Sequence, residues 1–315
     1  MRYRLARAAD LEAGSHLIHP GLKLADEVQA RLVEIWCDLI ARGAARFVVF
    51  EDPALPYPES IEALGITAFA RKSFIEGFLQ RPAPYITALV YEQVLAGKSP
   101  LLTGAEVRSA NSGGGLDLLA LHFALRHADL THPRTQEVLV LSNTAFFFFH
   151  GGFRINCAVA EVYGHEQADY MRRGGFSLYA DFAGQSSAPL QQEHPYLFLL
   201  RKEDVLPSAV NPLSYLFYPL TPRICFSSVE QKVLERGLLN ESDDEIAADL
   251  GVSLDTVKKT WRRIYERVDR EMPQLLGLES SRVERSSRGG EKRRHLLEYL
   301  RGHLEELRPY RLSVT

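Results

Sequence analysis

Residues 226–271 read FSSVEQKVLERGLLNESDDEIAADLGVSLDTVKKTWRRIYERVDRE, and three helices can be marked off in them from local chemistry alone. Ser227 followed three residues later by Glu230 is a capping box, in which the two side chains satisfy free backbone N–H groups at a helix start. Val233 and Leu234 then supply an apolar face. A second box, Ser242 with Glu245, opens a helix through Ile246, Ala247 and Leu250, and its acidic first turn suits the positive end of the helix dipole. Gly251 fits a left-handed turn residue. Ser253 can cap a third helix over 254–270, whose buried side is Val257, Ile264 and Val268. Ala247, Gly251 and Val257 form a set: two helices that cross steeply need a small contact residue, a glycine turn and a β-branched plug.

The outer side of that third helix carries Lys258, Lys259, Arg262, Arg263 and Arg267. Its first turn offers Ser253, Asp255 and Thr256. Cations give affinity for a phosphate backbone, and the first turn of such a helix meets base edges. The segment resembles the LuxR-type helix-turn-helix family. Residues 226–230 stand for the family's Leu-Thr-Pro-Arg-Glu opening with Ser227 replacing Thr, Glu245-Ile246-Ala247 for its Glu-Ile-Ala phrase, and Thr256-Val257-Lys258 for its Thr-Val-Lys phrase. Two departures are Trp261, near a position where the family often has a small or polar residue, and the ~45 residues that follow the segment. The resemblance implies a duplex-DNA partner contacted by Ser253, Asp255, Thr256, Lys258, Lys259, Arg262, Arg263 and Arg267. A homodimer is expected, because one short helix reads few base pairs.

The whole chain supports an ordinary globular protein. Of 315 residues, 46% are hydrophobic and 24% charged, which excludes disordered and fibrous classes. A formal charge of −3 and a pI near 6.4 average over every residue and do not exclude a local basic face. Cys37, Cys157 and Cys225 are too few for a zinc site or a disulfide framework, which points to a reducing compartment. Residues 1–5 run straight into charged sequence, and the longest apolar stretch, 138–149, is short of the roughly 20 residues a membrane span needs. A cytoplasmic location without membrane contact is expected.

Residues 1–204 alternate strand-like and helix-like patterns. Strands are expected at 44–50 (AARFVVF), 61–70, 86–94 and 137–141, and helices at 26–40 (Val28, Leu32, Ile35, Leu39) and from Leu116 to Arg126. The expected fold class is an α+β N-terminal domain, a mixed sheet with covering helices, followed by an all-α domain. The boundaries are 1–204 for the sensor or acyltransferase-like domain, and 205–225 for a linker with Pro207, Pro212, Pro219 and Pro222. The helical module takes 226–275. A flexible segment and C-terminal helix take 276–315, with residues 279–290 polar and small. Residues 291–307 place Leu296, Leu297, Leu300 and Leu304 along one side, behind Lys292, Arg293 and Arg294. A helix of that length needs a partner surface, by default its own domain.

Ala110-Asn111-Ser112-Gly113-Gly114-Gly115 is the most chemical feature of the first domain. A glycine-rich loop entering a helix near Leu116 would offer backbone N–H groups and a positive dipole end to a pyrophosphate. Residues 1–13, the expected strands at 48–50 and 64–69, this loop, and 165–176 (HEQADYMRRGGF) together resemble the GNAT-type N-acetyltransferases. That family holds coenzyme A with Gln/Arg-x-x-Gly-x-Gly/Ala; Gly113 and Gly115 match, and Ala110 stands where Gln or Arg belongs. The resemblance implies acyl-CoA as a possible ligand, held by Arg108, Asn111, Gly113, Gly114 and Gly115. Glu161, Tyr163 and Tyr170 have the chemistry for acid–base roles, with no catalytic residue assigned. His150 has no His, Asp or Glu partner at metal-ligand spacing, so no metal is assigned. The expected function is a DNA-binding transcriptional regulator whose first domain senses a small ligand such as an acyl-CoA. The rivals are an N-acyltransferase recruited to DNA, and an interaction scaffold with a catalytically dead first domain.

Overall fold

The computed structural model describes residues 1–184, 193–205, 212–218, 220–276 and 288–310. Contact density divides the chain into two compact units, Met1–Phe149 with Arg154–Phe217, and His150–Phe153 with Tyr218–Thr315.

The first unit runs β1 (Arg2–Leu5), α1 (Ala8–Ser15), α2 (Asp26–Ala30), α3 (Leu32–Ala41), β2 (Ala45–Glu51), β3 (Ile61–Ala70), α4 (Lys72–Gln80), α5 (Ile86–Leu95), α6 (Gly104–Ser112), β4 (Leu116–Leu125) and α7 (Pro133–His150). It continues with β5 (Ile155–Tyr163), α8 (His165–Arg173), β6 (Ser177–Asp181), β7 (Pro195–Arg201) and α9 (Lys202–Val205). Among the described residues, seven strands form one mixed sheet in the order β1-β2-β3-β4-β5-β7-β6. Its neighbours are antiparallel except for β4 and β5, which are parallel and joined through α7. One apolar core joins α3 (Leu32, Trp36), α5 (Ile86, Val90, Tyr91) and the sheet (Leu64, Ile66, Leu119, Val159, Leu197). Inside it Trp36 Nε1 donates to Tyr91 Oη at 2.9 Å. No helix among the described residues is long and apolar enough to cross a membrane.

The strands at 44–50 and 61–70 and the helical pattern at 26–40 emerge as expected, the last broken at Arg31 into α2 and α3. Three expectations are corrected. Residues 86–94 are helix, not strand, because Ile86, Val90 and Tyr91 bury one helical face. Residues 137–141 lie inside α7, with Thr135, Val138, Leu139, Ala145 and Phe149 buried at helical spacing. The helix expected from Leu116 is β4: its first four residues are all buried, and a strand covered on both faces reads as an unbroken apolar run.

The second unit holds α10 (Ser228–Leu238), α11 (Asp243–Leu250), α12 (Leu254–Glu271) and α13 (Arg288–Gly302). Both capping boxes form, with Ser227 accepting from the N–H of Glu230 and Ser242 from that of Glu245. Gly251 adopts φ 64° at the end of α11, and Ser253 caps α12. Trp261 is buried rather than exposed. Its Nε1 donates to Asp243 Oδ1 at 3.1 Å, and the Arg293 guanidinium lies 4.3 Å from its ring centroid. A Cβ at Gly237 would come within 3.1 Å of the same ring, so glycine on α10 makes room for tryptophan on α12. Leu296 and Leu300 are buried as α13 packs on α10 within this unit. Most of the polar stretch 279–290 and part of the proline-rich 205–225 segment, including Pro207 and Pro219, lie outside the described residues.

Candidate ligand cleft and candidate nucleic-acid face

The glycine loop does not have the form expected of it. It leads from the C-terminus of α6 into a strand, so no helix dipole faces it. The N–H groups of Gly113 and Gly115 both donate to Ala110 O, at 3.1 and 2.9 Å. Asn111 is buried and its Oδ1 accepts the N–H of Arg154 at 2.7 Å. Arg154 and Asn156 donate in turn to the carbonyls of Gly113 and Gly114. Gly115 has φ 91°, and a Cβ there would strike the Asn156 amide. Arg108 is half-buried on α6, with its carbonyl accepting from Ser112 Oγ. The loop therefore stitches α6 to the start of β5, and a strand rather than a helix N-terminus follows it.

The opening that the sheet does possess lies at the other end of β4. Register with β5 runs from Leu116↔Ile155 to Ala120↔Ala160 and then stops, although β4 continues to Leu125 and β5 to Tyr163. The cause is a bulge: β3 pairs Thr67 with Ala120 and Ile66 with His122, leaving Leu121 as an extra residue. A bulge bends its strand and raises the local twist, which here coincides with the parting of the two parallel strands. In open α/β sheets the carboxyl ends of parallel strands are where ligands are received, and β4 and β5 are the parallel pair here.

Four side chains gather at the parting. Glu161 on β5 is buried, and its carboxylate accepts from Tyr163 Oη at 2.6 Å, from the N–H of Tyr85 at 2.7 Å and from that of Ile86 at 3.4 Å. Burial pushes its carboxyl pKa up, opposed by those three donors. The Tyr163 phenol is raised by burial and by the neighbouring carboxylate. Thr87 Oγ1 donates to the carbonyl of the bulged Leu121 at 2.9 Å. Tyr85 sits at φ 71°, a left-handed conformation costing a non-glycine residue about 1 kcal/mol or more. Its ring stacks on Tyr163, which stacks on His19. Tyr170, the third candidate, is separate from this group, and interacts with Ser142 and Asn143 of α7. Sequence alone had no route to Thr87, which lies 34 residues from its partner.

His122 follows the bulge. Its Nε2 is enclosed without a hydrogen-bond partner among the described residues, and burial lowers its pKa to about 3. The unfolded chain, near pKa 6.5, takes up the proton first, so stability is lost as pH falls from about 6.5 toward 3. Between pH 7 and 5 this residue is expected to cost about 2 kcal/mol. Denaturant unfolding at the two pH values should show that loss in the natural chain and a correspondingly smaller one in His122→Leu. Equal losses in both would contradict the assignment.

The loop from β4 to α7 is tied down by its own side chains. Asp129 Oδ1 accepts the N–H of Thr131 at 2.8 Å, and Arg126 is spent on the carbonyls of Ile61 and Pro58. Among the described residues no group of three or more His, Cys, Asp or Glu side chains is placed to hold a metal ion.

Comparison with solved structures returns N-acetyltransferases. The Arabidopsis thaliana protein NAA60, in complex with a bisubstrate analogue, matches with 13% identity and a TM-score of 0.38, over 63% of this chain and 96% of that one. A spermidine N-acetyltransferase (SpeG) from Vibrio cholerae matches with 11% identity and a TM-score of 0.38, over 65% of this chain and 95% of that one. No family model matches the chain, and no curated protein matches it.

In the second unit, Ser253, Asp255, Thr256, Lys258, Lys259, Arg262 and Arg263 are all exposed on α12 or at its cap. Lys259 Nζ lies 2.7 Å from Asp255 Oδ2, one turn earlier. Arg267 is corrected: its Nε lies 3.1 Å from the buried carboxylate of Glu230, which also accepts the N–H of Ser227. It belongs to the packing of α12 on α10, not to the outward row. Thr260 is likewise turned in, donating to Thr256 O at 2.8 Å.

Proposed function

We propose that the chain is a DNA-binding transcriptional regulator whose first unit binds an acyl thioester such as acyl-CoA. The observation that carries the DNA reading is the outward row of α12. Lys258, Arg262 and Arg263 are exposed at helical spacing, directly after a left-handed glycine turn and a capped first turn bearing Asp255 and Thr256. Exposed cations at that spacing can each meet a phosphate at the rim of a major groove. Pairing of two copies over two half-sites would supply the specificity that one helix lacks.

For the first unit, the freed edge of β4 beyond Ala120 offers backbone groups to an extended ligand, and the amides along the arm of coenzyme A suit such an edge. Titration of the full chain against a mixed-sequence duplex at two salt concentrations tests the DNA reading. Affinity should fall steeply with salt, with a log–log slope of about −3 or steeper for three or more phosphates. Failure to bind at low salt by a folded sample would defeat it.

The second reading is N-acyl transfer, the activity named for the structural neighbours, by an enzyme that its second unit brings to DNA. The observation in its favour is the buried Glu161–Tyr163 pair at the strand parting. Against it, both Glu161 oxygens already accept hydrogen bonds within the fold. Thiol release from acetyl-CoA in the presence of polyamine or peptide amines decides between them: sustained turnover establishes the transferase, and binding without turnover the sensor.

A further inference from the structure

The 45 residues between β3 and β4 carry three helices, and the first turn of α5 bridges β4 and β5 where those two strands part. On the β4 side Thr87 Oγ1 holds the carbonyl of the bulged Leu121, a group left without a strand partner toward β5. On the β5 side Glu161 holds the N–H groups of Tyr85 and Ile86. Leu22, Ala88 and Tyr163 close an apolar patch over the same turn. The parting is thus occupied by the chain itself.

We infer that the first turn of α5 is a self-supplied occupant of the β4–β5 parting, and that an acyl thioester enters by displacing it. The inference rests on the acyl-thioester reading of the first unit and adds its regulation. Two features fit a displaceable element rather than a permanent filler. Tyr85 is held in a left-handed conformation that relaxes on release. The turn's polar anchors are contacts to strand atoms that an amide-bearing ligand can replace one for one, a donor for Leu121 O and a Glu161 carboxylate freed to accept a ligand N–H, while the buried Ile86 and Ala88 side chains leave with the turn. Ligand binding would then free the turn 85–88, a change of local structure that reports occupancy to the rest of the molecule. A ligand that must first displace α5 binds more weakly than the open cleft allows, by the fraction of molecules in which the turn is out.

The test uses the full chain and acetyl-CoA, with affinity by calorimetry and hydrogen exchange of residues 85–91. Acetyl-CoA should speed exchange at 85–88. Thr87→Val, which keeps the shape and removes the donor, should bind acetyl-CoA about 5-fold more tightly than the natural chain. Glu161→Gln, a second variant with its fold checked by thermal melting, should move in the same direction. Equal affinities in all three forms, or binding with exchange at 85–88 unchanged, would overturn the displacement while leaving the acyl-thioester reading in place. No binding by any form at millimolar acetyl-CoA would remove that reading, and the displacement with it.

Discussion

Replacing Lys258 and Arg262 together by alanine should weaken duplex binding about 100-fold near physiological salt and flatten the log–log salt slope by about 2, one for each lost phosphate contact. Both side chains are exposed, and neither belongs to the buried side of α12, which is Val257, Thr260, Trp261, Ile264 and Val268. The fold should therefore be untouched, and the melting temperature unchanged within a degree or two. Arg267 makes the control. Its guanidinium is committed to buried Glu230, so Arg267→Ala should cost stability while changing the salt slope little. Fluorescence anisotropy across a salt series separates the two outcomes. A double variant that binds as the natural chain does would remove α12 as the contact surface.

Glu306→Ala should destabilise the second unit by about 3–5 kcal/mol. Glu306 is fully buried, and its carboxylate accepts the N–H groups of Arg223 and Ile224 at 2.8 and 3.0 Å, that of Cys225 at 3.4 Å, and Tyr299 Oη at 3.2 Å. Truncation leaves three backbone donors without an acceptor just ahead of α10, in a segment where Cys225 already sits at φ 55°. The neighbouring Arg308 reinforces the same joint, donating to Gly151 O at 2.7 Å while Gln231 donates to its carbonyl. Differential scanning calorimetry should show the transition of this unit shifted down. A loss below 1 kcal/mol would mean that water takes over the role of the carboxylate.

These three residues mark what local sequence shows of a side chain's placement and what it does not. Lys258 and Arg262 were legible because the evidence for them is local. A capping box spans four residues, a glycine turn one, and a cationic row at helical spacing declares its own face. The same locality made β2 and β3 readable. Glu306 was not legible, since its backbone partners lie more than 80 residues away and nothing in HLEEL distinguishes a buried acid from a solvated one. Residues 86–95 and 116–125 exchanged their expected identities for a related reason. Both are mostly apolar, and burial on every side erases the period that separates helix from strand. That exchange also changed the form expected of the glycine loop. With Leu116 taken for a helix start, the glycines ahead of it looked like a phosphate loop, whereas the fold spends the N–H groups of Gly113 and Gly115 on Ala110 and parts β4 from β5 at the far end of the strand. The bulge at Leu121 has no sequence signature, because it is a property of register with β3.

The most direct test of the central claim is selection of bound sequences from random duplex DNA by the full chain at near-physiological salt. Enrichment of a two-fold symmetric motif, lost in the Lys258→Ala, Arg262→Ala variant, is the predicted result. A folded sample that enriches nothing, with and without acetyl-CoA, would contradict the assignment of this chain as a reader of DNA.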